Sequence, residues 1–126
     1  MQNFNQTNIN KLKDFLCNGY SHDAKLKNFN YDCKEDKIKI ELFNPIFNVM
    51  LNLTFHNIAI VLVTKDAWHG NRETVLSLTV EEDFSFLQNC ILKHDANVEN
   101  SLYLLFQMFS GDEIHIVSKE IFVEEN

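Results

Sequence analysis

The sequence predicts a mainly β protein, an antiparallel β-sandwich or a strongly curled sheet of about 7–8 strands with one N-terminal α-helix. Three observations predict it. The opening stretch repeats its apolar residues at helical spacing, and after Gly19 the period changes from 3.6 to 2. Alternating segments then recur along the chain, separated by clusters rich in Asn and Asp. No linker or low-complexity tract divides residues 1–126, so a single domain is expected, with the helix at about 8–18 and the β-rich body at about 24–124.

Asn8 is placed to cap the helix, and Ile9, Leu12, Phe15 and Leu16 share one face. Asn18-Gly19 supplies the left-handed stop. "AKLKNFNYD" (24–32) reads as the first strand and "CKED" as a turn. In "KIKIELF" (37–43), Ile38, Ile40 and Leu42 face one way while Lys37, Lys39 and Glu41 face the other. From Phe47 to His56 a second alternation follows, with Val49, Leu51, Leu53 and Phe55 on its apolar side. "AIVLV" (59–63) is apolar throughout and predicts a strand covered on both faces. "KDAWHGN" (65–71) reads as a loop, and "ETVLSLTVE" (73–81) alternates through Leu76, Leu78 and Val80.

"DFSFLQNCILKH" (83–94) fits two patterns. Phe84, Phe86 and Cys90 suit a strand, the preferred reading, whereas Phe84, Leu87 and Ile91 suit a short helix. "DANVEN" (95–100) is a loop. "LYLLFQMFS" (102–110), a Gly-Asp turn and "EIHIVSKEIFVEE" (113–125) form the clearest hairpin. Its second arm changes parity around Ser118–Glu120, which predicts a bulge. With three Gly and one Pro, Asn and Asp are expected to fill the tight-turn positions.

Charge is uneven. Residues 1–63 hold seven lysines against six acids, and residues 64–126 hold four basic residues against twelve acids, for a net charge of −7. An acidic half with the single arginine Arg72 repels phosphate backbones, so nucleic-acid binding is excluded and a cationic protein partner is the sharper expectation. No apolar run is long enough to span a bilayer, and "MQNFNQTNINKLKDF" lacks the pattern of a secretion signal, so a cytoplasmic location away from membranes is expected. Cys17, Cys33 and Cys90 show no CxxC spacing, which predicts free, mostly buried thiols.

The tripeptide His-Asp-Ala occurs twice, at His22-Asp23-Ala24 and His94-Asp95-Ala96. One metal needs three or more convergent ligands, and neither copy sits in the helical context such a doublet requires, so a turn-forming role is expected for Asp23. Trp68, His69 and Arg72 place an aromatic plate, a titratable ring and a guanidinium on one loop, the best candidate for a contact surface. His56 and His115 are expected on polar or solvent-facing sides of their strands. With His22 and Asp23 they make the alternative polar site of a small-ligand-binding or hydrolytic protein. There is no GxSxG, no Gly-rich phosphate loop and no HExxH, and Cys17 lies at a helix C-terminus, where the dipole disfavours a thiolate. No catalytic residue, metal or cofactor is therefore expected, although the sequence leaves the question of catalysis open.

From "SHDAKLKNFNYD" through "KIKIEL" and "LNLTFHNI" to "SGDEIHIVSKEIFVEE", the order of features resembles certain small, uncharacterised bacterial β-rich domains. These open with a His-Asp-Ser/Ala step, carry an apolar-Thr-Phe-x-Asn/Gly-apolar strand midway and close with a Ser-Gly hairpin. The resemblance covers most of residues 20–124 through short motifs, and some of these domains look like immunity proteins, which neutralise toxins by binding them. It implies a non-catalytic protein-binding module in which His22 and Asp23 have a structural role at the start of the sheet.

Overall fold

The alternating segments become hydrogen-bonded ladders in the computed structural model, which describes residues 1–65 and 73–126. The chain begins with β1 (Gln2–Phe4), a 3₁₀ turn (Gln6–Asn8) and α1 (Ile9–Leu16). It continues through β2 (Lys25–Asp32), β3 (Lys37–Asn44), β4 (Val49–Thr64) and β5 (Val75–Glu81). A second 3₁₀ turn (Ser85–Leu87) leads into α2 (Gln88–His94), and β6 (Leu102–Met108) and β7 (Glu113–Glu125) complete the chain.

Among the described residues all seven strands belong to one antiparallel sheet, ordered β2-β3-β4-β7-β6-β5, with β1 added to β7. Of the two expected forms, the single curled sheet is the one built. Its ends return to each other: Asp23 N–H donates to Val75 O (2.9 Å), Val75 N–H to Ala24 O (2.8 Å) and Leu26 N–H to Glu73 O (2.6 Å). The curl surrounds one core, in which Ile38, Ile40, Leu53, Phe55, Leu104 and Phe106 are fully buried. Leu12 of α1 is also fully buried there, worth about 2 kcal/mol of transfer free energy. Lys13 on the same helix pairs with Glu82 at 2.5 Å.

Asn8 takes the N-cap position of α1 as expected but makes no side-chain bond to that helix; the side-chain cap lies three residues earlier, on the 3₁₀ turn leading into it. Asn5 accepts from Thr7 N–H while Asn8 Oδ1 accepts from Asn5 N–H at 2.7 Å, so Asn8 is the return arm of a capping box. Gly19, at φ 85°, ends the segment as expected.

The alternation from Val49 to His56 and the apolar run at 59–63 are one strand, β4, while Phe47 falls in the turn before it; the strand carries a register shift between Ile58 and Ile60 opposite Ser118 and Val117. The bulge expected in β7 thus falls in the same stretch of ladder, with the extra residue, Ala59, on β4. Asn57 beside it is left-handed, at φ 57°. Ile58 packs on the inner core out of step with Leu53 and Phe55, and after the shift the odd positions face inward again, so Val61 packs inside while Ile60 and Leu62 join a second, outer cluster. Val63 is 58% exposed, so double coverage stops short of the strand's end. A comparable shift between Val75 and Ser77 turns Leu76 out to solvent, against its expected inward place.

Residues 85–94 are helical rather than extended. Leu87, fully buried, packs with Phe84 and Ile91 onto Ile60, Tyr103 and Val117 of the outer face. The helical set of apolar residues wins because it covers that face, whereas Phe86 of the strand set points outward at 60% exposure. Cys17 and Cys33 are free and exposed and Cys90 is half-buried, which corrects the expectation of mostly buried thiols.

Asn44, 1% exposed, fastens the chain before β2 to the end of β3. Its Nδ2 donates to Tyr20 O (3.0 Å) and His22 O (3.1 Å), and its Oδ1 accepts from Ile46 N–H (2.9 Å) and Phe47 N–H (3.3 Å). Removing this amide leaves two carbonyls and two N–H groups without the partner that ties the two segments together. Asn44→Ala is expected to lower unfolding free energy by about 2–3 kcal/mol in urea denaturation; an unchanged midpoint would remove Asn44 from this role.

Candidate functional site

The outer face of the sheet carries a row of polar side chains that strand period and register bring together. Ser77 lies opposite Gln107, Gln107 opposite Glu113, and Leu105 opposite His115. Positions two apart then line up Tyr103 with Gln107 on β6 and Glu113 with His115 on β7. Ser77 Oγ–H donates to Gln107 Oε1 at 2.9 Å, and Gln107 Nε2–H reaches Glu113 Oε2 at 3.4 Å, a weak contact. The other carboxylate oxygen of Glu113 lies 3.1 Å from His115 Nε2, and Tyr103 Oη lies 2.5 Å from His115 Nδ1.

The Glu113 carboxylate can only accept, so Nε2 of His115 carries the hydrogen between them and sets the direction of this chain. Tyr103 is 2% exposed and His115 1%. Desolvation, reinforced by the charges of Glu81, Glu113 and Asp83, pushes the Tyr103 hydroxyl from 10.0 up to about 12. The phenol keeps its proton and donates it to Nδ1, which leaves Nε2–H to donate to Glu113. Phe86 lies flat on the imidazole, with centroids 4.7 Å apart and planes at 12°, and Phe84 packs against Tyr103 at 5.3 Å. The order Tyr–His–carboxylate could move a proton, but both rings are sealed beneath the helical layer. The adjoining depression of about 270 Å³, lined by Glu81, Glu82, Phe84 and Ser101 among others, includes neither ring.

The residues expected in one polar site occupy three places. His22 and Asp23 sit where the curled sheet meets itself, with Nδ1 and Oδ2 3.1 Å apart and both side chains largely open. His56 shares the outer side of β4 with Thr54, set edge-on to Phe122 at 5.0 Å. His115 stands on the polar side of its strand, beside Glu113, but is buried rather than open to solvent, because α2 and its 3₁₀ turn cover that part of the sheet. It pairs across β4 with Leu62, six residues from His56, or roughly 20 Å of strand. Among the described residues no group of three His, Cys, Asp or Glu could hold a metal ion. Trp68, His69 and Arg72 lie outside the described residues.

The two His-Asp-Ala copies share a backbone task. Asp23 has φ 62° and Asp95 φ 49°, both left-handed. Asp23 turns the chain into β2, whereas Asp95 caps α2 as Ala96 N–H returns to Ile91 O at 3.1 Å. Sequence reasoning missed Tyr103, Gln107, Glu113 and Phe86. The Glu-x-His step at 113–115 was the available signal, since i and i+2 share a strand face.

Fold and site together define a mainly β protein whose outer face carries a buried Tyr–His pair bonded to a partly exposed Glu. Comparison of the chain with models of known families and with curated proteins finds no match in either.

Two expectations follow. Tyr103→Phe is expected to cost about 1–2 kcal/mol in urea unfolding, because it leaves Nδ1 of a buried ring without its donor. Unfolded tyrosine ionises near 10 and Tyr103 near 12, so stability present below pH 10 is lost as pH rises through that window. An ultraviolet titration should show a late phenolate step that Tyr103→Phe abolishes. Asp23→Gly should be neutral or stabilising by up to about 1 kcal/mol in thermal unfolding, and Asp23→Val destabilising, since only the first suits a left-handed residue; the reverse order would contradict a turn-forming role.

Proposed function

We propose that this chain is a small bacterial cytoplasmic protein acting as a non-catalytic protein-binding module, of the immunity type that its order of motifs resembles. The observation that supports this best is the placement of its chemistry. Among the described residues His22, Asp23, His56 and His115 do not converge on an open pocket, and the Tyr103 and His115 rings are buried away from any substrate. A hydrolytic or ligand-binding reading needs at least some of these groups beside one accessible cavity.

The surface has what a binding module needs. Exposed apolar side chains, Phe86 (60%) and Leu92 (71%), stand on the helical layer, and the acidic second half favours a cationic partner. Trp68, His69 and Arg72 remain candidate contacts on the chemistry of their side chains. The test is affinity capture of the tagged protein from its source cells, with Trp68→Ala in parallel and metal analysis of the purified chain. A specific basic protein partner is expected, with Trp68→Ala weakening its recovery. Recovery of no partner, together with a stoichiometric ion, overturns the module reading.

A further inference from the structure

Phe86 turns one aromatic face to solvent. Its ring lies flat on the His115 imidazole, 4.7 Å away, so the opposite face points outward and the residue stays 60% exposed. An aromatic face attracts cations through its quadrupole. Carboxylates border the rings beneath Phe86: Glu113 bonds His115, and Glu81 stands opposite Tyr103 in the β5–β6 ladder. Glu113 holds the edge of the stacked imidazole at 3.1 Å and is 26% exposed, and Asp83 lies three residues before Phe86. Both act, with Glu81, on the Tyr103 hydroxyl beneath. Asp83 is exposed, and the Ser85 side chain and backbone N–H favour its charged form. Among the described residues no lysine or arginine pairs with these three acids, and Lys13 is engaged by Glu82.

An apolar partner laid on this spot would desolvate three carboxylates without compensation. A nucleic acid would meet like charge. A cation meets both the ring face and the carboxylates. Arginine fits better than lysine, since a planar guanidinium can stack on the ring while its N–H groups fork to carboxylate oxygens. We propose that Phe86, flanked by Glu113, Asp83 and Glu81, docks an arginine side chain of a basic protein partner. The proposal rests on the protein-binding reading above and names the surface used.

The test titrates a short arginine-rich peptide, and the same peptide with citrulline at every arginine, into the full chain while aromatic resonances are followed by NMR. Saturable shifts centred on the Phe86 and His115 rings are expected, with affinity about tenfold weaker for the citrulline peptide. Phe86→Leu keeps a cover over His115 but has no ring face, and should weaken the arginine peptide by a similar factor; Asp83→Asn should weaken it less and flatten its salt dependence. Shifts centred elsewhere or spread over the acidic surface, or unchanged affinity in Phe86→Leu, overturn the proposal. A partner recovered from source cells that binds Phe86→Leu undiminished refutes this surface and leaves the module reading standing.

Discussion

Backbone hydrogen bonds between residues 23–26 and 73–75 join the two ends of the sheet path, and the geometry of the rest depends on that junction. A seven-stranded sheet left flat would present an inner face too broad for one eight-residue helix to cover. Curled until β2 and β5 touch, it closes on Leu12, Phe4 and its own side chains. The junction needs a sharp change of direction after α1, which Gly19 and Asp23 supply through left-handed backbone, and Asn44 holds the intervening carbonyls. The tripeptide that first suggests acid–base chemistry is therefore part of the junction between the two ends of the open, curled sheet.

Where one side of an element faces a core and the other faces water, the pattern could be read directly. Ile38, Ile40 and Leu42 alternate without interruption, and β3 follows them residue for residue. Turn chemistry was equally legible. Every non-glycine residue of positive φ among the described ones is Asn or Asp: Asp23, Asp36, Asn48, Asn57, Asp95 and Asn100. A chain poor in glycine uses the side chains best able to tolerate that region.

Two differences, the burial of His115 and the helix at 85–94, share a cause, which is that a second layer cannot be seen from strand periodicity. Covering the outer face of β4, β6 and β7 buries His115 and selects the helical pattern at 85–94. Both depend on which strands become neighbours, and that is decided by pairing rather than by local sequence. The same holds for Leu76, whose outward turn arises from one unpaired residue in the β5–β6 ladder. The Tyr103–His115–Glu113 cluster is likewise a product of register, since a shift of one residue in β7 would send His115 into the inner core.

The helical layer differs from the sheet it covers in how it is attached. Between residues 84 and 101 the backbone bonds of its turns and caps, Leu87 to Phe84, Ala96 to Ile91 and Ser101 to Val98, stay within the segment. β4, by contrast, is bonded along its length to β7 and along its first half to β3. Amide hydrogens of the β4–β7 ladder therefore exchange only when the whole sheet opens, while those of α2 exchange by lifting the layer alone. Such excursions would hydrate Tyr103 and His115 and leave every strand paired, giving the protein two separable levels of stability in one short chain.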